Sequence, residues 1–415
     1  MYDIAIIGAG AAGIAACKRA LAHQRKVILI DESFERFGGT CINQGCIPTK
    51  FFIRSAVAGK SWPEIFDAAR ALIKKIKVPL HVFLEKQGVR VMYGAAVLLD
   101  GHRIRVAETI IEARAIIIAT GSLPRTIVTH PSAFFAQELF SRSSIPEKFL
   151  IVGGGSIGIE VTSLLRRLGK IVHVVEKETR ILPSFEESVS SRLKVILERT
   201  GVTFELGKDV SGIDLSSFDA IIMAAGRVPN TVDCGLAVAG VALGPGGWIK
   251  TDERGRTSVD TVYACGDVTG KKLLAYTAEY QAKLCVDTIA GKNVVVDDTG
   301  IPECVFSLPQ IACVGMNASS ARDNNIAHRV IKSNFLKFSS AYVYDDTDGY
   351  AQIVLAPGGT VLGATVISHA AGELINLLSL CVRSKLPVTV LSQAIFIHPT
   401  LSEVIPAILE AAELS

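Results

Sequence analysis

The apolar positions of this chain fall into short uninterrupted runs, which is the pattern of strands buried on both faces of a parallel sheet. Such runs occupy residues 4–7, 115–119 and 220–224. Segments with helical periodicity lie between the runs. We therefore predict an α/β fold for the part of the chain that precedes residue 301.

The C-terminal part has a different pattern, in which apolar and polar positions alternate over short stretches separated by longer loops. This alternation is typical of strands that have one buried face. We predict strands at 304–307, 351–355 and 361–368, and helices at 371–383 and 388–393. The chain from residue 301 onward is thus expected to form an α+β module that does not bind a nucleotide.

Residues 2–31 have the pattern of a strand, a helix and a second strand. The strands are predicted at 3–7 and 26–30, and the helix ends near residue 22. The first turn contains Gly8, Gly10 and Gly13, and the second strand ends at Asp31. Glycines permit a tight turn and the close approach of a pyrophosphate, and the terminal acid can bind a ribose diol. This segment predicts a dinucleotide-binding unit.

A second unit of the same kind begins at residue 149. Its turn contains Gly153, Gly155 and Gly158, and its second strand, predicted at 171–175, is followed by Glu176. Two such units predict that the chain binds two dinucleotides. A carboxylate at Glu176 favours NAD, because it would repel the 2′-phosphate of NADP. Lys177 and Arg180 are cations that an NADP site would use, so NADP remains the alternative.

The segments between and after these units contain further predicted elements. Helices are predicted at 51–59, 65–77 and 274–289, and strands at 89–93, 102–106 and 262–267. The lysines Lys74, Lys75 and Lys77 are predicted to lie on a solvated face of the second of these helices.

Composition excludes several classes of function. The chain has 415 residues, 49% of them apolar, but no apolar run reaches the length of a membrane-spanning helix. A net charge of +3 with intermixed signs predicts no nucleic-acid partner and no membrane partner. Because Met1 leads directly into a predicted strand, we expect no signal sequence and a cytoplasmic location.

Two of the nine cysteines, Cys41 and Cys46, stand close together in a glycine-containing segment. Two ordinary buried cysteines would explain the pair equally simply. Gly39 before the pair, Gly45 within it and Pro48 after it instead favour a helix N-terminus, where thiolates are stabilised. No second pair of Cys or His residues with ligand spacing accompanies them, which argues against a metal. We interpret the pair as redox-active.

Segment 38–50 resembles the active-site segment of the class I pyridine nucleotide-disulfide oxidoreductases. Further motifs resemble the same family in the expected order: Ala119-Thr120-Gly121, the segment 226–230, Asp267, and the stretch from His398 to Glu403. The resemblance covers residues 4–403, although the segment after Gly59 is shorter than in most family members. It implies two Rossmann-like dinucleotide-binding domains and a C-terminal α+β dimerisation domain.

The resemblance also implies domain boundaries and cofactor sites. It places an FAD-binding domain at 1–140 and 255–300, an NAD(P)-binding domain at 141–254 and an interface domain at 301–415. The implied FAD-binding residues are Gly8, Gly10, Gly13, Asp31, Gly39, Thr40, Thr120, Gly121 and Asp267. The implied NAD-binding residues are Gly153, Gly155, Gly158, Glu176 and Gly226.

Catalytic roles follow from the same resemblance. Cys46 would react with the flavin, and Cys41 would exchange with the substrate sulfur. Glu160 would lie beside the nicotinamide and pair with Lys50, although an acid at a helix N-terminus can also serve the helix dipole alone.

His398 and Glu403 complete the implied site. Pro399 fixes the backbone beside His398, and Glu403 is placed to accept a hydrogen bond from the imidazole and set its tautomer. In the family this pair is the acid/base for the dithiol of the opposite subunit. The resemblance therefore implies a homodimer.

Within the family, the chain resembles the dihydrolipoamide dehydrogenase branch, through Glu176 and the stretch 180–183. Such an enzyme would act on a small dithiol or disulfide, and the resemblance allows for one carried on a lipoyl domain of a multienzyme complex. The first alternative is an NADPH-dependent reductase of glutathione or of another small disulfide or oxidant. An alternative of another class is a structural flavoprotein subunit of such a complex.

Overall fold

The computed structural model describes residues 1–413, with side chains as far as Glu410; the last two residues of the predicted interface domain lie outside the described part. In chain order, the strands are β1 Tyr2–Ile7, β2 Val27–Asp31, β3 Arg90–Tyr93, β4 Ala96–Leu98, β5 Arg103–Val106, β6 Thr109–Ile118, β7 Ser122–Pro124, β8 Ala133–Phe135, β9 Lys148–Val152, β10 Ile171–Glu176, β11 Thr203–Leu206, β12 Ala220–Met223, β13 Arg227–Pro229, β14 Val262–Ala264, β15 Glu303–Val305, β16 Gln310–Gly315, β17 Arg329–Asn334, β18 Tyr350–Leu355 and β19 Val361–Ser368. The α-helices are α1 Ala11–Ala22, α2 Gly39–Asn43, α3 Cys46–Val57, α4 Trp62–Lys86, α5 Ser156–Arg167, α6 Glu187–Arg199, α7 Ala275–Ile289, α8 Ala318–Asp323, α9 Ser339–Val343, α10 Ala371–Arg383, α11 Thr389–Ser392 and α12 Val404–Glu413.

These elements form two compact units. The first contains Met1–Thr126, Gln137–Ile145 and Gly226–Asp297. The second contains Ile127–Ala136, Pro146–Ala225 and Asp298–Ser415. The three domain boundaries implied by the sequence stay a prediction, because this division does not separate the second glycine-turn segment from the C-terminal module.

The first unit is built on a sheet with the order β3-β2-β1-β6-β5-β4, in which β14 also pairs with β6. Strands β1, β2, β3, β6 and β14 run parallel, whereas β4, β5 and the first half of β6 form an antiparallel meander. Ile4 and Ile6 pack on one face of β1, and Ala5 and Ile7 pack on the other. The uninterrupted apolar run is thus explained by burial on both faces.

The second unit contains two five-stranded sheets. One is parallel, with the order β11-β10-β9-β12-β8, and carries the second glycine turn between β9 and α5. The other is antiparallel, with the order β15-β16-β19-β18-β17, and packs against α10 and α12 around a buried apolar core. The predicted α/β region and C-terminal α+β module are both present.

Helix α4 corrects one prediction. It has 25 residues rather than the 13 implied by the predicted range 65–77, and it starts with a capping box formed by Ser61 and Glu64. Lys74 and Lys75 are exposed as predicted. Lys77 is only 8% exposed, so its assignment to a solvated face was wrong. Its ammonium group donates hydrogen bonds to groups outside α4, which a helical pattern alone does not reveal.

Across residues 1–413, none of the helices has the combination of length and apolar composition that crossing a bilayer requires.

A buried carboxylate joins α1 to α7 in the first unit. Arg19 donates to both oxygens of Asp287, at 2.8 and 2.6 Å, and His23 Nε2 lies 2.7 Å from Oδ1. Burial alone would raise the pKa of Asp287, but these hydrogen bonds and the charges of Arg19 and Lys292 lower it from 3.8 to about 2.

Replacement of Asp287 should therefore destabilise the fold in a pH-dependent way. We expect Asp287→Asn to lower the free energy of unfolding by about 1–3 kcal/mol at pH 7, because a buried charge-assisted network is broken. Since the folded pKa is depressed, the contribution of the carboxylate is complete above about pH 4 and is lost as the pH falls from about 4 to about 2. Denaturant unfolding across this range measures it. Asp67→Asn, at an exposed position of α4, is the control, and an equal effect of both substitutions would contradict the prediction.

Candidate active site

The first glycine turn is closed by backbone contacts that leave no space for side chains. A methyl group on Gly8 would overlap Ala119 O, and one on Gly13 would overlap Gly8 O. Gly39 approaches Gly10 so closely that an added Cβ would lie 2.6 Å from Gly10 Cα. These contacts hold strand β1, helix α1 and the start of α2 together around one turn.

The acid that ends each second strand binds the turn that precedes it. Asp31 Oδ2 accepts a hydrogen bond of 2.6 Å from Ala9 N, and Oδ1 accepts one from Glu32 N. Burial raises the pKa of Asp31, against the opposing effect of these two hydrogen bonds. In the second unit, the buried Glu176 accepts from Gly154 N at 2.6 Å. Its other oxygen accepts from Glu178 N at 2.9 Å.

The second glycine turn repeats the close packing of the first. A methyl group on Gly158 would overlap Gly153 O, whereas one on Gly155 would have no heavy atom within 4 Å. The turn is therefore closed toward its helix and open beside Gly155.

Both turns fit the pyrophosphate of a dinucleotide. Helices α1 and α5 begin directly after them, at Ala11 and Ser156, and the first N–H groups of a helix have no acceptor within the helix. The open space beside Gly155 leaves room for a pyrophosphate at the second turn. The acids that end β2 and β10 can each bind a ribose. The structure thus presents two sites whose residues suit FAD and NAD(P).

The cysteine pair lies where two short helices meet. Cys41 is in α2, which ends before Gln44, whose N–H donates to Thr40 O, and Cys46 is the first residue of α3. Gly45 separates the two helices, and an added Cβ there would lie 2.9 Å from Thr40 O. The break brings the two thiols together and places Cys46 at the positive end of the α3 dipole.

The surroundings of Cys41 favour its neutral thiol. Its pKa is raised first by the hydrogen bond to Cys46 and then by burial and the charges of Cys46 and Glu279, whereas the charge of Lys50 lowers it. A hydrogen bond that raises the pKa of Cys41 is one that its thiol donates. The pair is therefore arranged as a thiol at Cys41 facing a sulfur acceptor at Cys46.

Sequence reasoning missed a polar network around Asp267. Ser122 Oγ donates to Asp267 Oδ2 at 2.6 Å, and Arg227 donates to Ser122 Oγ through Nε at 2.6 Å. Burial lowers the pKa of Arg227, while the negative charges of Asp267 and Cys46 raise it. The Arg227 guanidinium thus lies close enough to Cys46 for their charges to interact. The sequence singled out Asp267 and the segment 226–230, but it did not reveal the network, because Ser122 and Arg227 meet through the pairing of β7 with β13.

The remaining FAD-assigned residues lie beside this network. Thr120 Oγ1 donates to Asn230 O at 2.7 Å, and Asn230 N donates to Gly121 O at 3.1 Å. Gly226, which the resemblance assigned to NAD, belongs to the first unit, where its carbonyl oxygen accepts from Arg125 N at 3.1 Å.

Two further assigned residues lie one turn into their helices. Lys50 is on α3, one turn after Cys46. Glu160 is buried on α5, and its Oε1 accepts a hydrogen bond of 2.9 Å from Phe306 N. These two residues belong to different units, and their pairing stays a prediction.

His398 and Glu403 form the predicted pair in the second unit. Nδ1 of His398 lies 2.9 Å from Oε2 of Glu403. The His398 side chain is 70% exposed, whereas that of Glu403 is 22% exposed. The carboxylate thus fixes one ring nitrogen of a largely exposed imidazole.

Two nucleotide-binding turns, a thiol pair and an imidazole oriented by a carboxylate define a nucleotide-dependent thiol oxidoreductase. Residues 2–282 match the family model described as pyridine nucleotide-disulphide oxidoreductase, and residues 301–408 match the dimerisation domain of that family. The chain belongs to the pyridine nucleotide-disulphide oxidoreductase family. It is an FAD-dependent enzyme that uses NAD(P). These matches confirm the family, the fold class and the enzyme class predicted from the sequence.

Relatives of known activity match nearly the whole chain. It is 34% identical to a dihydrolipoyl dehydrogenase of Chlorobaculum parvum and 31% identical to one of Chlamydia muridarum, in both cases over 97% of this chain and 95% of the relative. It is 29% identical to a glutathione reductase of Burkholderia cepacia, over 97% of each chain.

Solved structures show the same fold. The chain is similar to the Cu(II) complex of the HOCl-induced flavoprotein disulfide reductase RclA of Escherichia coli, with a TM-score of 0.93, 27% identity and 99% of each chain covered. It is also similar to LpdA of Mycobacterium tuberculosis, with a TM-score of 0.90, 25% identity, and 99% of this chain and 100% of that chain covered.

The packing of the second turn predicts different effects of alanine substitution at two of its glycines. Gly158→Ala should lower the free energy of unfolding by about 1–3 kcal/mol, because its methyl group meets a backbone oxygen that cannot move freely. Gly155→Ala should leave stability unchanged and raise the KM for the nicotinamide nucleotide, because its methyl group fills open space beside the turn. Thermal unfolding and steady-state kinetics of both variants measure this. Equal melting temperatures would show that the turn is not closed as described.

Proposed function

We propose that this enzyme is a dihydrolipoyl dehydrogenase that oxidises a dihydrolipoyl dithiol and reduces NAD. The observation that carries the proposal is the pair Cys41 and Cys46, joined by a hydrogen bond at the start of α3 and within electrostatic reach of Arg227. The dihydrolipoyl dehydrogenases of Chlorobaculum and Chlamydia support the choice of substrate.

The cofactor sites follow from the two glycine turns. The residues proposed to hold FAD are Gly8, Gly10, Gly13, Asp31, Gly39, Thr40, Thr120, Gly121 and Asp267. Those proposed to hold NAD are Gly153, Gly155, Gly158, Glu176 and Gly226. Bound FAD would supply two-electron transfer between the dithiol and the nicotinamide.

The chain's own residues perform the thiol chemistry. His398 of one subunit accepts a proton from a substrate thiol, and the resulting thiolate attacks Cys41 of the Cys41–Cys46 disulfide in the other subunit. The Cys41–Cys46 bond breaks, a mixed disulfide forms, and Cys46 leaves as a thiolate. The second substrate thiol then attacks the mixed disulfide and its proton passes to the departing Cys41 sulfur, which releases the cyclic disulfide product and the Cys41 thiol. Two electrons have passed to the cysteine pair. Glu403 orients His398 through the hydrogen bond at Nδ1.

NAD is preferred to NADP because of the surroundings of Glu176. The Glu176 carboxylate is held in place by Gly154 N and Glu178 N, where it would repel a 2′-phosphate. Of the two nearby cations, Lys177 forms an exposed ion pair with Glu178 at 3.6 Å, and Arg180 donates to Pro183 O at 2.9 Å. Arg180 also lines a cavity of about 700 Å³. A cation there could bind a 2′-phosphate, which favours the second candidate, an NADPH-dependent reductase of a small disulfide.

Nucleotide preference separates the two candidates. Wild-type enzyme is expected to have a higher kcat/KM with NADH than with NADPH. Glu176→Gln should lower the ratio of these two kcat/KM values about tenfold or more, since one repulsive charge is removed. Lys177→Gln serves as the matched control and should change the ratio little. A wild-type preference for NADPH that Lys177→Gln abolishes would instead establish the second candidate.

The thiol chemistry is tested by three substitutions in the FAD-loaded dimer. Cys46→Ser should abolish the long-wavelength thiolate-to-flavin absorbance band on anaerobic reduction, and Cys41→Ser should retain that band but lose dihydrolipoamide oxidation. His398→Gln should reduce kcat for dihydrolipoamide by about 10²–10⁴-fold while leaving the band in place. Wild-type enzyme that forms the band but does not oxidise dihydrolipoamide would refute the substrate and leave the redox centre standing.

A further inference from the structure

Lys77 is a buried lysine whose ammonium group contacts residues just before and within the segment that carries Cys41. Its ammonium group donates to Glu35 O at 2.6 Å and to Asn43 Oδ1 at 3.0 Å, and it lies 5.1 Å from the centre of the Phe34 ring. Burying an ammonium group is unfavourable unless polar partners replace water. The two hydrogen bonds and the aromatic ring supply that replacement.

Asn43 extends these contacts along the segment. Its side-chain nitrogen donates to Phe37 O at 3.0 Å and to Gly39 O at 2.9 Å, with a longer contact to Arg36 O at 3.3 Å. Lys77 and Asn43 together therefore hold residues 35–43 at several points. We call this set of contacts the Lys77 clamp.

The two cysteines differ in how much they depend on the clamp. Cys46 starts the 12-residue helix α3, which is fixed in the core by the fully buried Phe52. Cys41 lies in the five-residue helix α2, which follows Gly38 and begins at Gly39, and both glycines have positive φ. A short helix with glycines at its N-cap and first position has little intrinsic order. The position of Cys41 therefore depends on contacts from outside the segment.

We propose that Lys77 is a positioning residue that holds the Cys41 segment in place and so sets the stability of the Cys41–Cys46 disulfide. The proposal rests on the proposed redox role of this pair. A disulfide requires a narrow range of distance and dihedral angle between its two cysteines. When both are held within that range, closing the bond requires less loss of conformational freedom.

Removing the clamp should consequently weaken the disulfide relative to the dithiol. Formation of the disulfide breaks two S–H bonds, makes one S–S bond and passes two protons and two electrons to oxidised dithiothreitol, which becomes the dithiol. In Lys77→Met we expect this equilibrium to move about tenfold toward the dithiol, equivalent to about 30 mV for a two-electron couple.

The test uses FAD-loaded dimer equilibrated anaerobically, without nicotinamide nucleotide, in mixtures of oxidised and reduced dithiothreitol. Acid quenching, alkylation and mass spectrometry of the peptide with Cys41 and Cys46 give the oxidised fraction independently of turnover. Lys74→Met, an exposed lysine on the same helix, is the matched control and should titrate as the wild type does. Asn43→Asp keeps the acceptor for Lys77 but removes the amide donors, and it should move the equilibrium in the same direction as Lys77→Met.

The outcomes are distinct. A Lys77→Met enzyme with a lower melting temperature and an unchanged thiol–disulfide equilibrium would overturn the proposal, because Lys77 would then support only the fold. If Lys77→Met does not fold, Asn43→Asp decides: a shift supports the clamp and a wild-type titration refutes it. If wild-type Cys41 and Cys46 form no disulfide in any mixture, the proposed function itself fails.

Discussion

The hydrogen bond from each glycine turn to a strand-end carboxylate is the constraint on which both nucleotide sites depend. Ala9 N binds Asp31 and Gly154 N binds Glu176, and the partners are 22 residues apart in each case. Each bond ties the start of a helix to the adjacent parallel strand, so that the helix N-terminus faces the carboxyl edge of its sheet. With the turn fixed in this way, the overlaps that require Gly8, Gly13, Gly153 and Gly158 follow from packing.

The features predicted well from the sequence are those encoded locally. The apolar runs 4–7 and 220–224 became the central strands β1 and β12, because burial on both faces leaves a continuous apolar signature. The glycine spacing and the strand-end acid are likewise local, since Asp31 binds Ala9 N and Glu176 binds Gly154 N within one βαβ unit each. Helix α4 was predicted too short, because Pro79 and the lysines obscure its periodicity while its capping box is a cue at one end only.

The features that the sequence did not reveal depend on contacts between distant segments. Ser122 and Asp267 are 145 residues apart, and Arg227 joins them only because β13 pairs with β7. Lys77 follows the exposed Lys74 and Lys75 on its helix, and its burial is explained by groups of another segment, the carbonyl of Glu35, the side chain of Asn43 and the Phe34 ring. Helical periodicity describes the faces of a helix. It contains no information about which polar groups another segment will present to one of those faces.

His398 is an exposed residue of the C-terminal module whose ring is held by a carboxylate. A hydrogen bond to Glu403 orients the ring, yet 70% of the side chain remains exposed on the single chain. Orienting an imidazole requires the ordering of both side chains, and on a surface open to water such a contact contributes little stability. The arrangement is better explained by a group that comes to lie in a site when a second subunit covers it. Residues 301–408 match the dimerisation domain of the family and contain both His398 and Glu403, so the proposed acid/base pair lies in the part of the chain where a second subunit is expected.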